Sequence, residues 1–204
     1  KSDALKCMRR YVSSFRALSE SGSIGVKVVL GALHTDNAGE LLSREFQEFI
    51  DEESISHTTC PPHVHALNGV AERAIRSVIE NTRSHLVASG APIGFWPQAL
   101  QHAVDILNRT TGPPESTCSS YELVAGKKPK ILPIMPFGCS AVPVKPRSAI
   151  SKTRLDTKGS PGINLGKVPS IPGSYFVWLP RLGKVVTTSD VYFDETKMPW
   201  RDKG

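Results

Sequence analysis

The chain has 204 residues, 39% of them hydrophobic, and a formal net charge of +6. That is enough for one large or two small domains with real apolar cores. No apolar run approaches the ~18 residues of a membrane span, and no signal-peptide pattern of basic, apolar and small-residue segments is present.

Charge is unevenly spread. Residues 126–204 carry 14 basic and 5 acidic side chains, whereas residues 1–125 carry 11 and 14. A basic terminal module beside a nearly neutral one suggests a polyanion as partner for the tail. The chain begins at Lys1 rather than Met, and a piece of a longer protein is expected. Cys7, Cys60, Cys118 and Cys139 stand far apart without a CxxC pair, which favours reduced thiols in an intracellular protein.

In chain order, Leu5, Met8, Val12, Phe15 and Leu18 recur at helical spacing and predict a helix over 3–20, with Ser2 or Asp3 able to cap it. Val26–Leu30 reads as a buried strand running on toward Leu33 and stopping at Asp36. Asn37-Ala38-Gly39-Glu40 makes the turn. A short helix from about Ser43 to Glu52 turns Phe46, Phe49 and Ile50 inward, and Ile55–Thr59 is a short strand. Pro61 and Pro62 then force an irregular loop. Asn68 is placed to cap a helix over about 69–89, and a further helix covers about 94–108. Strand, helix, strand, helix and helix in that order predict an α/β layer structure.

Beyond Lys127-Lys128-Pro129, helical periodicity gives way to short β-rich runs at 139–144, 174–179, 184–188 and 190–193. Pro180-Arg181-Leu182-Gly183 reads as a hairpin turn. A small barrel over 134–196 follows, after a linker at 126–133 and before a tail at 197–204.

Two carboxylates carry the chemistry. Asp36 sits where the first strand runs out, and Glu72 lies in the first turn of the 69–89 helix, with 35 residues between them. Acids presented this way can share divalent metal ions and direct a hydroxyl at a phosphodiester. On a helical wheel at about 100° per residue, Val70, Ala71, Ala74, Ile75, Val78, Ile79, Thr82 and Leu86 form one broad apolar face. Glu72, Arg76 and Arg83 fall within roughly 40° of one another at its edge, where a carboxylate can bind metal while arginines reach phosphates. The bland alternatives are a surface Glu72–Arg76 pair and a turn-forming Asp36. His57, Cys60, His63 and His65 could supply zinc ligands, but without paired CxxC or HxxxH frames a loop with incidental histidines is the preferred reading.

The run His34-Thr35-Asp36-Asn37-Ala38-Gly39-Glu40 resembles the (S/T)DNGGE segment of copia-type LTR-retrotransposon integrases, and Asn68-Gly69-Val70-Ala71-Glu72-Arg73 resembles their NGVAER segment. Gly94-Phe95-Trp96, Leu107-Asn108-Arg109, Tyr121-Glu122-Leu123, Gly126-Lys127-Lys128-Pro129, Phe137-Gly138-Cys139 and Ser189–Glu195 continue the likeness in the same order. It covers nearly the whole chain.

The resemblance implies a ribonuclease-H-like core, here without its first strands, followed by a small all-β SH3-like barrel. It makes Asp36 and Glu72 the second and third acids of a D,D-35-E site holding Mg²⁺, or Mn²⁺, for 3′-end processing and strand transfer. It also implies DNA contacts from Asn68, Arg73, Arg76, Arg83, Lys127 and Lys128. The implied partners are the element's own DNA ends and target DNA, with a homo-multimer as the active complex and no membrane association. Function is expected in the nucleus, after a cytoplasmic particle stage. The family's first acid would lie upstream of Lys1, so the isolated segment is expected to be inactive and its strand at Asp36 to keep an open edge. Ala38 stands where the family has glycine, and a positive φ there would strain the turn. The competing reading is a non-catalytic nucleic-acid-binding remnant using the basic tail and the arginine stripe.

Overall fold

The computed structural model describes residues 3–20, 29–60, 69–113, 115–130, 134–144, 159–169 and 171–203. The chain is mixed α/β. Its elements are α1 (Asp3–Glu20), β1 (Ala32–Thr35), α2 (Arg44–Glu52), β2 (Ser56–Thr59), α3 (Gly69–Ser89), α4 (Trp96–Thr110), α5 (Ser120–Ala125), β3 (Ser140–Pro143), β4 (Gly162–Lys167), β5 (Tyr175–Leu179), β6 (Lys184–Thr188) and β7 (Val191–Asp194). Single 3₁₀ turns occupy Ile93–Phe95 and Arg201–Lys203. No helix among the described residues is long and apolar enough to cross a membrane. The contacts divide the chain into two compact units, one of residues 1–76 and 108–129, the other of 77–107 and 130–204.

The first unit is built on a β1-α2-β2 crossover, with β1 and β2 paired in parallel from Ala32 opposite Ser56 to Thr35 opposite Thr59. The helix between them starts at Ser43, whose Oγ accepts from the Phe46 amide while it donates to the Glu40 carbonyl. Its apolar residues, three and four apart, all point one way. Phe46, Phe49 and Ile50 are buried with Ile55 and with Val12 of α1, and Leu5, Met8, Leu30, Leu33 and Leu41 close around them. The Arg9 guanidinium lies 4.6 Å from the Phe49 ring centre, and Arg16 pairs with Glu53. The strand expected from Val26 to Leu33 is placed later. Val26–Val28 lie outside the described residues, Val29 is 63% exposed, and pairing begins only at Ala32, where β2 comes alongside. With one described neighbour, β1 alternates exposed and half-buried side chains rather than being buried on both faces.

In the second unit, a five-stranded antiparallel sheet in the order β6-β5-β4-β3-β7 is packed on both faces. One face gathers Ala141, Tyr175, Val177 and Leu179 with Met135, Val186, Val191 and Phe193. On the other, Leu165, Phe176 and Trp178 meet Leu86 of α3, Ala99 of α4, Phe95, Phe137 and Trp200. The residues of α3 and α4 that pack here fall before the 126–133 division suggested by composition. Ser77–Leu107 therefore belong to the same unit as the sheet.

Two elements escaped the sequence reading. β4 has glycines at Gly162 and Gly166 and a run of five buried residues, so neither alternation nor β-branched density marks it. α5 is six residues long, but Ser119-Ser120-Tyr121-Glu122 is a capping box, and Ser119 does accept from the Glu122 amide, at 3.2 Å. That signal was available.

Candidate metal and nucleic-acid site

Asp36 follows directly on β1 and is exposed. Its Oδ1 accepts from the Ala38 amide at 3.2 Å, which holds the side chain against its own turn. Ala38 does not adopt a positive φ; among the described non-glycine residues only Ser54 and Glu115 do. The strain foreseen for alanine at this position does not arise. The turn closes instead through Leu41 N to Ala38 O at 2.9 Å, geometry open to any residue.

A polar chain steadies the turn from β2 and α2. Gln47 Nε2 donates to Leu41 O at 2.8 Å and to His57 Nδ1 at 3.0 Å. His57 Nδ1 also lies 3.3 Å from Gln47 Oε1, its Nε2 lies 2.9 Å from Thr35 Oγ1, and Thr35 Oγ1 donates to Asp36 O at 3.0 Å. On the opposite face of β2, His34 Nδ1 lies 2.8 Å from Thr58 Oγ1 and its Nε2 lies 3.1 Å from Cys60 Sγ. Cys60 sends its amide to Thr35 O at 2.9 Å and receives Asn37 Nδ2 on its carbonyl at 2.7 Å. The contacts between β1 with its turn and β2 were not foreseen, because they join residues 22 to 26 apart through the parallel register.

Glu72 stands exposed in the first turn of α3, where its charge complements the exposed amides of the helix N-terminus. The expected packed face beside it must be corrected. Thr82, Leu86 and Ser89 are buried, but Val70, Ile75 and Ile79 are 73%, 63% and 43% exposed. Periodicity marks an apolar stripe without saying what covers it; of the stripe, only Thr82 and Leu86 are buried. Glu72 is thus on an open surface rather than a cleft edge, and no ion pair joins it to Arg76 among the described residues.

Asp36, Glu72, Arg73, Arg76, Lys127 and Lys128 fall in the first unit and Arg83 in the second, and all seven are exposed. Lys127 and Lys128 follow α5 directly after Gly126, which ends that helix at φ 63°. Asn68, His63 and His65 lie outside the described residues. His57 and Cys60, the remaining members of the possible zinc set, alternate to opposite faces of β2 and are engaged by Gln47, Thr35 and His34. Among the described residues, no three His, Cys, Asp or Glu side chains come together as a metal-binding group. The donor chemistry of Asp36 and Glu72, both exposed carboxylates, suits a hard divalent cation of the Mg²⁺ type.

No family model matches the chain. Among individual proteins it is 34% identical over 169 residues to the retrovirus-related Pol polyprotein from transposon TNT 1-94 of Nicotiana tabacum, covering 83% of this chain and 12% of that protein. It is 28% identical over 172 residues to the Pol polyprotein from transposon RE2 of Arabidopsis thaliana, 84% of this chain and 11% of the relative. The transposon Ty1-LR3 Gag-Pol polyprotein of Saccharomyces cerevisiae matches at 27% over 162 residues, 78% of this chain and 9% of the relative. Solved structures with some likeness include the HTLV-2 integrase catalytic core domain in complex with magnesium, with a TM-score of 0.37 at 24% identity over 48% of this chain and 57% of that one. The simian T-cell lymphotropic virus intasome in complex with PP2A regulatory subunit B56 gamma gives 0.48 at 16% identity over 90% of this chain and 62% of that one.

The relatives are retroelement polyproteins, of whose length this chain spans roughly a tenth. Over some four fifths of its length the chain is similar to one segment of these retrotransposon Pol polyproteins.

Proposed function

We propose that this segment supplies the second and third carboxylates, Asp36 and Glu72, of an integrase active site that processes the 3′ ends of element DNA and joins them to target DNA. The observation that carries the reading is the presentation of Asp36. It is exposed at a strand end, with one oxygen held by the Ala38 amide, and 35 residues separate it from Glu72 in segments that resemble the integrase motifs. Asp36 and Glu72 would hold Mg²⁺ or Mn²⁺, which supplies Lewis acidity at the phosphodiester and lowers the pKa of the attacking hydroxyl. The Gln47-His57-Thr35 chain keeps the Asp36 backbone in place as substrate arrives. Arg73 and Arg76 extend from the Glu72 helix, and Lys127 and Lys128 from the end of α5, as exposed cations for phosphate contacts.

In this reading residues 1–125 are a partial ribonuclease-H-like core and 134–196 an SH3-like module whose excess of basic residues holds DNA without sequence preference. The active form is a multimer on paired DNA ends, working in the nucleus after a cytoplasmic particle stage. The test uses the longer parent protein. Asp36→Asn should abolish Mg²⁺-dependent strand transfer while DNA binding by anisotropy changes less than about twofold. Full strand transfer by that variant would refute the assignment. The charge on residues 126–204 also suits a second reading, a nucleic-acid-binding module without catalysis. A parent that binds DNA but never joins it, with Mg²⁺ and with Mn²⁺, would favour that one.

A further inference from the structure

We infer that Asn37 is a positioning residue for the Asp36 carboxylate, acting by extending the β1–β2 ladder one rung past its backbone end. The backbone pairing of the two strands closes at Thr35 opposite Thr59. Beyond it the Cys60 amide donates to Thr35 O at 2.9 Å, and the next link is a side chain: Asn37 Nδ2 donates to Cys60 O at 2.7 Å. Asp36 is the residue between these two attachments. Both attachments end on Cys60, which is 7% exposed and so provides a fixed point.

The consequence is specific to Asp36. Its own oxygen bonds only within the turn, to Ala38 N, so the turn could swing about the strand end as a body while keeping that bond. The Thr35 hydroxyl restrains the near side of the turn through Asp36 O, and Gln47 restrains the far side through Leu41 O. Between these two, Asn37 is the side-chain link from the turn back to β2. Cys60 also stands immediately before the 61–68 segment that leads to Glu72. The Asn37 bond therefore ties the strand-borne acid to the start of the connection carrying the other one. Side chains that orient a metal-ligating carboxylate in this indirect way commonly change metal affinity by 10–100-fold when removed.

This inference rests on the proposed metal site, and the experiment separates the two. The ¹⁵N-labelled chain is titrated with Mn²⁺ alone, and paramagnetic broadening of the Asp36, Asn37 and Ala38 amides is followed. Asp36→Asn should remove the local broadening. Asn37→Ala should require roughly tenfold more Mn²⁺ for half-broadening, while its thermal midpoint and the amide shifts of Phe46, Phe49 and Ile50 in the α2 core change little. A merely structural role would lower the midpoint and leave the Mn²⁺ concentration for half-broadening where it was. Asn37→Gln keeps the amide on a longer arm and should recover part of the affinity; it also reads the effect if the alanine variant does not fold. Loss of broadening in Asp36→Asn together with wild-type Mn²⁺ dependence in both Asn37 variants overturns the positioning role alone. Unchanged broadening in Asp36→Asn overturns the site and the inference with it.

Discussion

Gly138 lies so close to Ser89 that a β-carbon on it would stand 2.3 Å from the Ser89 β-carbon and 3.1 Å from its hydroxyl. Ser89 cannot yield, because it is 1% exposed and its Oγ donates to His85 O at 2.7 Å. Gly138 also holds φ at +82°. The Phe137-Gly138-Cys139 motif is thereby where the end of α3 seats against the sheet of the second unit.

Gly138→Ala should therefore destabilise this unit by about 2–4 kcal/mol, combining overpacking of roughly 1–3 kcal/mol with about 1 kcal/mol for the positive φ. Urea denaturation followed by tryptophan fluorescence reads it, since Trp178 and Trp200 are part of this packing. Gly94→Ala is the control: no neighbour lies within 4 Å of the new β-carbon and its φ is not positive, so a change under about 1 kcal/mol is expected. Equal losses in the two variants would show that the Ser89 contact does not hold the helix to the sheet.

Acid should loosen the same region. His102 is 5% exposed, with its ring 5.0 Å from that of His85 and 5.8 Å from Phe137. Burial pushes its pKa down to about 4, with the charges of His85 and Lys167 acting in the same direction and Asp105 opposing them. The His85 pKa is lowered by burial as well. Between pH 6.5 and about 4 the unfolded chain binds a proton at His102 that the folded chain refuses, so stability is full above pH 6.5 and falls through that window. The loss amounts to roughly 2–3 kcal/mol by pH 4. Asp194, held down to about 2 by Lys197 and Thr196, titrates below the window and does not confuse it. Urea midpoints at pH 7 and pH 4.5 should differ clearly in the native chain and much less in His102→Gln. An identical drop in both would remove His102 as the cause.

What could be read from the sequence was what local pattern encodes. The helices at Asp3–Glu20 and Gly69–Ser89 and the strand at Lys184–Thr188 fall where periodicity puts them, because each buries a face or alternates along its own length. β4 was not legible, because a strand in the middle of a sheet, buried on both faces, carries no alternation. The two acids were singled out through their flanking motifs, whereas the contacts around Asp36 could not be. Asn37 and Cys60, or Gly138 and Ser89, meet only through strand register or helix docking, and no local window contains both members of either pair. The stripe of α3 shows the converse case. Its periodicity is real, yet Ile75 and Ile79 stay exposed, since amphipathicity states a preference and a neighbour must be there to satisfy it.

The exposed cations can be separated by what they do to salt dependence. Each phosphate contact releases about one counterion, so log K falls with log salt with a slope set by the number of contacts. Lys128, beyond the glycine cap of α5, and Arg76, on the Glu72 helix, are exposed and bury little, so alanine at either should leave the fold intact. Each substitution should lower the slope by about one and weaken binding alike on unrelated duplexes. Fluorescence anisotropy between about 50 and 200 mM salt provides the measurement. Double substitution should lower the slope by about two if the contacts are independent. A slope unchanged by Lys128→Ala with a reduced one in Arg76→Ala would confine DNA to the α3 surface, and the reverse would confine it to the end of α5. A slope unmoved by either would mean that DNA lies on neither the α3 surface at Arg76 nor the end of α5, leaving other basic residues, among them those of the second unit, to account for binding.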